Sequence, residues 1–247
     1  QFAKANHVYG AESYIRGFSG YVLELLTSCY GSFTSLMKVA AKCKPITVIG
    51  SKTAANKLNP AKRAPLIVID PVQPDRNAAA ALSEEKFYDL IMAARTFLKH
   101  QSPSLFREKH LDPAQLSKLG KLIQLEVTPL SGNRDIVGAK LLKAFTFIRE
   151  QVKHYDFSLV TAKWSFNPIK KKSVFYFVVD RHELPSTRKL AGPPADNQKA
   201  VENFKKAHKD VVIKQGRAYA LKKRDYTTID ALIKDVIKIP NVASRVK

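Results

Sequence analysis

The sequence predicts an α+β protein, with a mostly helical first part, then a largely antiparallel sheet body, then a short basic tail. Three observations predict it. Up to about residue 100 the apolar residues recur mainly at helical spacing, and from Leu122 onward alternating runs bracket one long amphipathic helix. From Asn197 to Lys247 there are 13 Lys or Arg against 5 Asp or Glu, which marks a polar, basic end.

Taken in order, Phe18, Val22, Leu25, Leu26, Cys29, Phe33, Leu36 and Met37 keep helical spacing from Ile15 to Ala41. Gly31 interrupts them, so two short helices meet at Tyr30-Gly31-Ser32, with Ser32 capping the second. Lys52 to Arg63 is polar and basic and reads as a loop, and Leu66-Ile67-Val68-Ile69 reads as a buried strand. Asp70-Pro71-Val72-Gln73-Pro74-Asp75-Arg76-Asn77 is a proline-restricted turn running into a helix-forming alanine stretch, Ala78 to Ala81. Ser83 then starts a longer helix to about Lys99 through Phe87, Leu90, Ile91, Ala94 and Leu98.

Ser102-Pro103-Ser104 to Pro113 reads as a connection. After it, Leu122 to Val127 is a strand, Asp135 to Tyr155 a long helix, Ser158 to Phe166 a strand, and Val174 to Val179 another. Pro185 to Pro194 reads as a polar loop, Asn197 to His208 as a helix, and Val211 to Leu221 as strand material broken at Gln215-Gly216. The order β-α-β-β-α-β is the ferredoxin-like pattern, which RRM-type modules also use.

A chain of 247 residues with 45% hydrophobic and 26% charged content suits a globular protein of two domains. Its formal net charge of +21 points to a polyanion, nucleic acid before membrane, since no lipidation signal or basic amphipathic helix is evident. Cys29 and Cys43 have no metal-spaced partner, which fits a reduced, cytoplasmic protein. No apolar run reaches the roughly 18 residues of a membrane span, so no membrane partner is expected. Because the first residue is Gln1 and not Met, a segment is expected to precede it.

For chemistry, Pro71 and Pro74 limit the freedom of Arg76, and a restrained guanidinium suits phosphates and base edges. Asp70 and Asp75 are read as capping local amides rather than binding metal. Gly17-Phe18-Ser19-Gly20 lacks the spacing of a nucleophile elbow. His7, His100, His110, His154, His182 and His208 are scattered, and solvated surface accounts for each. Trp164, Phe166, Phe175, Tyr176 and Phe177 fall on adjacent strands and either stack bases or fill the core. Lys170, Lys171 and Lys172 sit in a hairpin-like turn, and Lys222, Lys223 and Arg224 follow a strand, as phosphate-contact candidates.

Four blocks carry a resemblance: Val8-Tyr9-Gly10-Ala11-Glu12; Arg16-Gly17-Phe18-Ser19-Gly20-Tyr21 with Glu24-Leu25-Leu26; Tyr30-Gly31-Ser32-Phe33; and Asp70-Pro71-Val72 with Arg76 to Ser83. In order and spacing they are similar to the archaeal, class I CCA-adding enzyme, a tRNA nucleotidyltransferase. Arg95-Thr96-Phe97, Pro103, Phe106 and His110 resemble that family's exit from its central domain. Gly216 to Ala220 with Arg224 to Thr228 resembles the end of its body and the start of its tail.

The resemblance implies addition of CCA to tRNA 3′ ends from CTP and ATP with Mg2+ and no nucleic-acid template. It implies that Tyr9 touches the triphosphate, that Arg76 helps select the base, and that basic residues of body and tail grip tRNA. The expected domains are 1–110, a neck or central domain completing the nucleotide pocket; 111–225, a ferredoxin-like body binding the acceptor arm; and 226–247, a partial tail. Nothing here resembles the family's catalytic palm, so the carboxylates that hold Mg2+ are expected in a catalytic head outside this chain, and the chain alone is expected to be inactive. Partners are then tRNA and that head, with homodimerisation left open. The alternatives are a non-catalytic RNA-binding protein derived from the same scaffold, and a poly(A)-adding relative, against which the Arg16 and Asp70 blocks argue.

Overall fold

The structure, a computed structural model, describes residues 1–108 and 111–246. His110 and the expected boundary at 110 lie outside the described residues. The chain divides into two compact units, 1–111 with 133–139 and 112–132 with 140–247.

The first unit is mostly helical. Its elements are α1 (Phe2–Ala5), α2 (Gly20–Tyr30), α3 (Phe33–Ala40), β1 (Thr47–Ile49), α4 (Lys52–Lys57), β2 (Leu66–Val68) and α5 (Glu84–Lys99). The α2–α3 corner lies where the sequence places it. Gly31 adopts φ 74°, and the Ser32 hydroxyl accepts the Ser35 amide at 3.1 Å, satisfying a donor the helix leaves orphaned. Ser83 caps α5 in the same way, accepting from the Lys86 amide at 3.3 Å. Phe18, Val22, Leu26, Met37, Val68, Phe87, Leu90 and Ala94 form the core. Phe2 meets Phe33 edge-on at 5.2 Å and Phe97 at 5.9 Å, which fastens the start of the chain to that core.

Two segments differ from the sequence reading. Lys52 to Arg63 is not a loop throughout, because Ser51 caps α4 and a 3-10 turn follows at Pro60–Lys62. Ala55 and Leu58, three residues apart, bury one side of that short helix against Ile67. The alanine stretch is not helix either. The Asn77 side chain and the Val68 carbonyl take the Ala79 and Ala78 amides, at 3.0 and 2.8 Å, so the chain turns until Ser83 restarts it.

The second unit is built from α6 (Pro113–Ser117), β3 (Lys121–Val127), α7 (Arg134–His154) from Lys140 onward, β4 (Leu159–Asn167) and β5 (Lys172–Val179). There follow β6 (Thr187–Pro194), α8 (Gln198–Ala207), β7 (Val212–Lys214), β8 (Arg217–Lys223), α9 (Ile229–Val236) and α10 (Pro240–Ala243). The fold is α+β as the sequence predicts, and β3, α7, β4 and β5 follow each other in the ferredoxin-like order. Their sheet runs β3-β5-β4, antiparallel throughout. The central strand β5 buries Phe175, Phe177 and Val179 completely. Phe145 of α7 packs on this face, 5.3 Å from Phe177, 5.4 Å from Phe175 and 6.2 Å from Trp164. Phe175 and Phe177 are therefore core and not a base-stacking platform, with Trp164 half-buried beside Phe145.

The later strands form a second antiparallel sheet, ordered β6-β8-β7. Pro185 to Pro194, read from sequence as a loop, contributes β6. Its two terminal prolines are tolerated because β6 is an edge strand, whose outward amides have no ladder to complete. Gln215 at φ 50° and Gly216 at φ 71° make the tight turn between β7 and β8 that the sequence marks as a break.

Candidate nucleotide-pocket wall and basic surfaces

Tyr9 is placed by a close pass of two chain segments. Phe18 donates its amide to the Val8 carbonyl at 2.7 Å, Gly10 donates to Phe18 at 2.8 Å, and Gly17 donates to Gly10 at 2.7 Å. A Cβ on Gly17 would lie 2.3 Å from the Val8 carbonyl oxygen, so only glycine lets the strands approach. The pass buries Val8 and Phe18 and turns Tyr9 outward, 41% exposed. The Tyr9 hydroxyl lies over Gly20, 3.4 Å from where a Cβ there would sit, and Lys4 Nζ is 5.2 Å from its ring centroid. A phenol donor, a lysine and the first turn of α2 are thus gathered on one surface, and all three favour an anion.

Arg76 is placed by Asp70. That buried carboxylate accepts the Tyr21 hydroxyl at 2.9 Å and the Val72 amide at 2.9 Å on Oδ1, and its Oδ2 faces the Arg76 guanidinium at 3.4 Å. The Arg76 backbone is held as well, donating to Gln73 at 2.9 Å and accepting from Asp70 at 3.1 Å. Asn77, also buried, stitches the loop to β2 by accepting the Val68 amide at 2.9 Å and donating to Lys62 at 3.0 Å. The Arg76 side chain is nevertheless 54% exposed. It is a cation restrained at its root and open at its tip, the geometry that reads a planar acceptor pair. The first turn of α2 links the two candidates, with Gly20 under Tyr9 and Tyr21 bonded to the brace of Arg76.

The Val72 amide, then the Tyr21 hydroxyl, hold Asp70 below the usual carboxylate range against the opposing effect of burial. Its hydrogen bond to Asp70 pushes Tyr21 upward, so the phenol stays a donor. A depressed carboxylate stabilises the fold above its unfolded value of about 4 and ceases to do so as pH falls through the folded value. The difference in melting temperature between the wild type and Asp70→Asn is therefore widest at neutral pH and narrows below about pH 4. A pH-independent difference would show that the charge does not matter.

Sequence reasoning names Asp70 as an amide cap but misses Tyr21 and Asn77. The signal for Asn77 is its place straight after the strand-turn unit, where a side chain able both to donate and to accept can replace a missing ladder partner.

Lys170 and Lys171 occupy the β4–β5 turn, where Asn167 accepts the Lys170 amide at 2.9 Å, and Lys172 begins β5; all three are exposed. Lys222 and Lys223 are exposed on β8, but strand alternation sends them to opposite faces. Arg224 is different. It donates to Asp156, as does Arg188 at 3.0 Å, and its side chain is only 15% exposed. Burial opposes the charge of Asp156, but the Arg224 and Arg188 hydrogen bonds outweigh it and hold the carboxyl down. Arg224 thus fastens β8 and β6 to the end of α7.

Among the described residues no group of three His, Cys, Asp or Glu side chains could hold a metal ion. Asp70, the buried carboxylate of this surface, faces a guanidinium that would repel a cation. These residues do not fit Mg2+. Nor is any described helix long and apolar enough to cross a membrane.

It is the family matches that give the helical unit and the antiparallel unit after it a class, that of tRNA nucleotidyltransferase domains. Residues 1–107 match the family described as tRNA nucleotidyltransferase, second domain, and residues 128–244 match the CCA-adding enzyme, C-terminal domain. Along both matched segments the chain is similar to CCA-adding enzymes. It is 33% identical over 245 residues to the CCA-adding enzyme of Pyrobaculum islandicum, covering 94% of this chain and 55% of that protein. The CCA-adding enzyme of Methanoregula boonei is 31% identical over 94% of the chain and 52% of its own length. That of Methanosarcina mazei is 31% identical over 95% and 54%. The chain spans about half the length of the curated relatives it matches.

Proposed function

We propose that the chain is the tRNA-binding and pocket-completing part of a CCA-adding enzyme, which extends tRNA 3′ ends with CTP and ATP in the cytoplasm. Residues 1–110 supply one wall of the nucleotide pocket, with Tyr9 on the triphosphate and Arg76 on the base. Residues 111–225 hold the acceptor arm and 226–247 begin the tail, with Lys170, Lys171, Lys172, Lys222 and Lys223 on phosphates and Arg224 holding Lys222 and Lys223 in place. The carboxylates that carry Mg2+ belong, on this reading, to a catalytic head outside these residues. The braced, exposed guanidinium of Arg76 carries the proposal, because the Asp70–Tyr21 brace restrains it without covering it.

The experiment is equilibrium binding of a CCA-less tRNA to this chain across a KCl series. The chain binds, and the logarithm of its association constant falls by roughly 0.9 per phosphate neutralised against the logarithm of salt. No binding at low salt, or salt-independent binding, overturns the reading. CTP and ATP binding by the chain joined to the head separates it from the non-catalytic alternative, which keeps tRNA and loses both nucleotides.

A further inference from the structure

The second sheet has one covered face and one bare face. On the covered side Ala218 and Ala220 of β8 are buried, and Gly192 of β6 passes so close to Phe204 of α8 that a Cβ there would lie 2.7 Å from its ring. The register sets the other face. Thr187 is opposite Lys223, Lys189 opposite Leu221, and Ala191 opposite Tyr219, with Tyr219 and Arg217 also paired to Val212 and Lys214 of β7. Since successive side chains alternate, these residues all point away from α8. All are exposed except Tyr219, which lies beneath Lys189, its Nζ 3.7 Å from the ring centroid.

The bare face carries Lys189, Lys214, Arg217 and Lys223 and no acidic residue. By contrast, α8 on the other side carries Glu202 among its lysines. Leu221 is 63% exposed in the middle of the four cations. A second copy of the chain is disfavoured, because it would bring eight like charges together. The Tyr219 ring also fixes the Lys189 ammonium, so this contact loses less side-chain freedom on binding than an unrestrained lysine. With one ring face already taken, Tyr219 is a support for a cation and not a stacking platform.

We propose that the bare face of the β6-β8-β7 sheet is an RNA-backbone docking surface. Lys189, set by Tyr219, is the register-fixing phosphate contact, and Lys214, Arg217 and Lys223 are the flanking ones. Of the lysines read from sequence only Lys223 belongs to it; Lys222 faces the other way. The inference rests on the proposed tRNA function and adds which surface does the holding.

The test compares two variants of the full chain that lose the same charge. One is Lys189→Gln with Lys214→Gln, Arg217→Gln and Lys223→Gln. The other removes four cations outside the bare face, as Lys199→Gln, Lys205→Gln, Lys206→Gln and Lys209→Gln. Binding of a CCA-less tRNA is followed by fluorescence anisotropy against KCl. The sheet variant is expected to weaken on the order of 10²-fold and to lose about three from the salt slope, while the control variant weakens less than about threefold. Equal weakening of the two overturns the assignment and leaves only net charge. A wild type that binds no tRNA instead overturns the parent function, so the two failures are distinct. Tyr219→Leu keeps every charge and frees Lys189, and it is expected to weaken binding about fivefold with an unchanged salt slope, where Tyr219→Phe has little effect. Should the fourfold sheet variant fold poorly, Lys189→Gln alone carries the test, with about a tenfold loss expected and wild-type affinity overturning it. Anionic vesicles that capture the wild type but not the sheet variant, together with intact tRNA binding by that variant, would make the face a membrane contact and also overturn the proposal.

Discussion

Arg76→Ala, in the chain joined to its catalytic head, is expected to lower nucleotide incorporation roughly 10²-fold while tRNA affinity stays within about twofold. The separation follows from where the side chain sits. Its guanidinium belongs to the first unit, and the lysines proposed to grip tRNA belong to the second. Nothing structural collapses with it, because the contact to Asp70 is long, at 3.4 Å, and Asp70 keeps the Tyr21 hydroxyl and the Val72 amide. Arg76→Lys is expected to recover little, since an ammonium cannot make two parallel hydrogen bonds to a planar acceptor edge. Single-turnover incorporation of CTP and ATP, set beside tRNA binding, checks this. Equal losses in incorporation and affinity would move Arg76 from the pocket to the RNA grip.

The position of Arg76 could be read in the sequence because its causes are local. Two prolines and the strand before them set the backbone turn that carries it, whereas the brace on its side chain comes from further along the chain. The α2–α3 corner was legible for the same reason, with Gly31 and Ser32 adjacent. What the sequence hid depends on partners distant along the chain. Tyr21 bonds Asp70 across 49 positions, and nothing in its neighbours announces that. Arg224 sits in a run of three basic residues, and only the fold shows that it turns toward Asp156, 68 positions away. β6 looked like a loop because an edge strand with one bare face has neither the apolar alternation nor the proline-free backbone that marks an inner strand. Its alternation of exposed and covered positions exists, but β8 and α8 supply the cover.

Gly17→Ala is expected to destabilise the first unit by about 3 kcal/mol, the upper end of what one inserted carbon costs where it cannot be accommodated. The cause is space, not backbone conformation. The added Cβ would meet the Val8 carbonyl oxygen at 2.3 Å, its carbon at 2.9 Å and the Gly10 carbonyl oxygen at 3.0 Å, and none of these is a side chain that could swing away. Separating the segments stretches the 2.7 Å bonds from Phe18 to Val8 and from Gly17 to Gly10. It also pulls on the Arg16 carbonyl, which accepts the Ser83 amide at 2.8 Å just before α5. Val8 and Phe18 would leave the core together, and Tyr9 would lose its place over Gly20. Gly31→Ala is the matched comparison, because a Cβ there meets nothing within 4 Å and only the left-handed φ of 74° resists it, at about 1 kcal/mol. Amide hydrogen exchange in α2 and α5 separates the two. Exchange in α2 and α5 should accelerate far more for Gly17→Ala than for Gly31→Ala, and equal acceleration would mean that the close pass of the two segments does not hold this unit together.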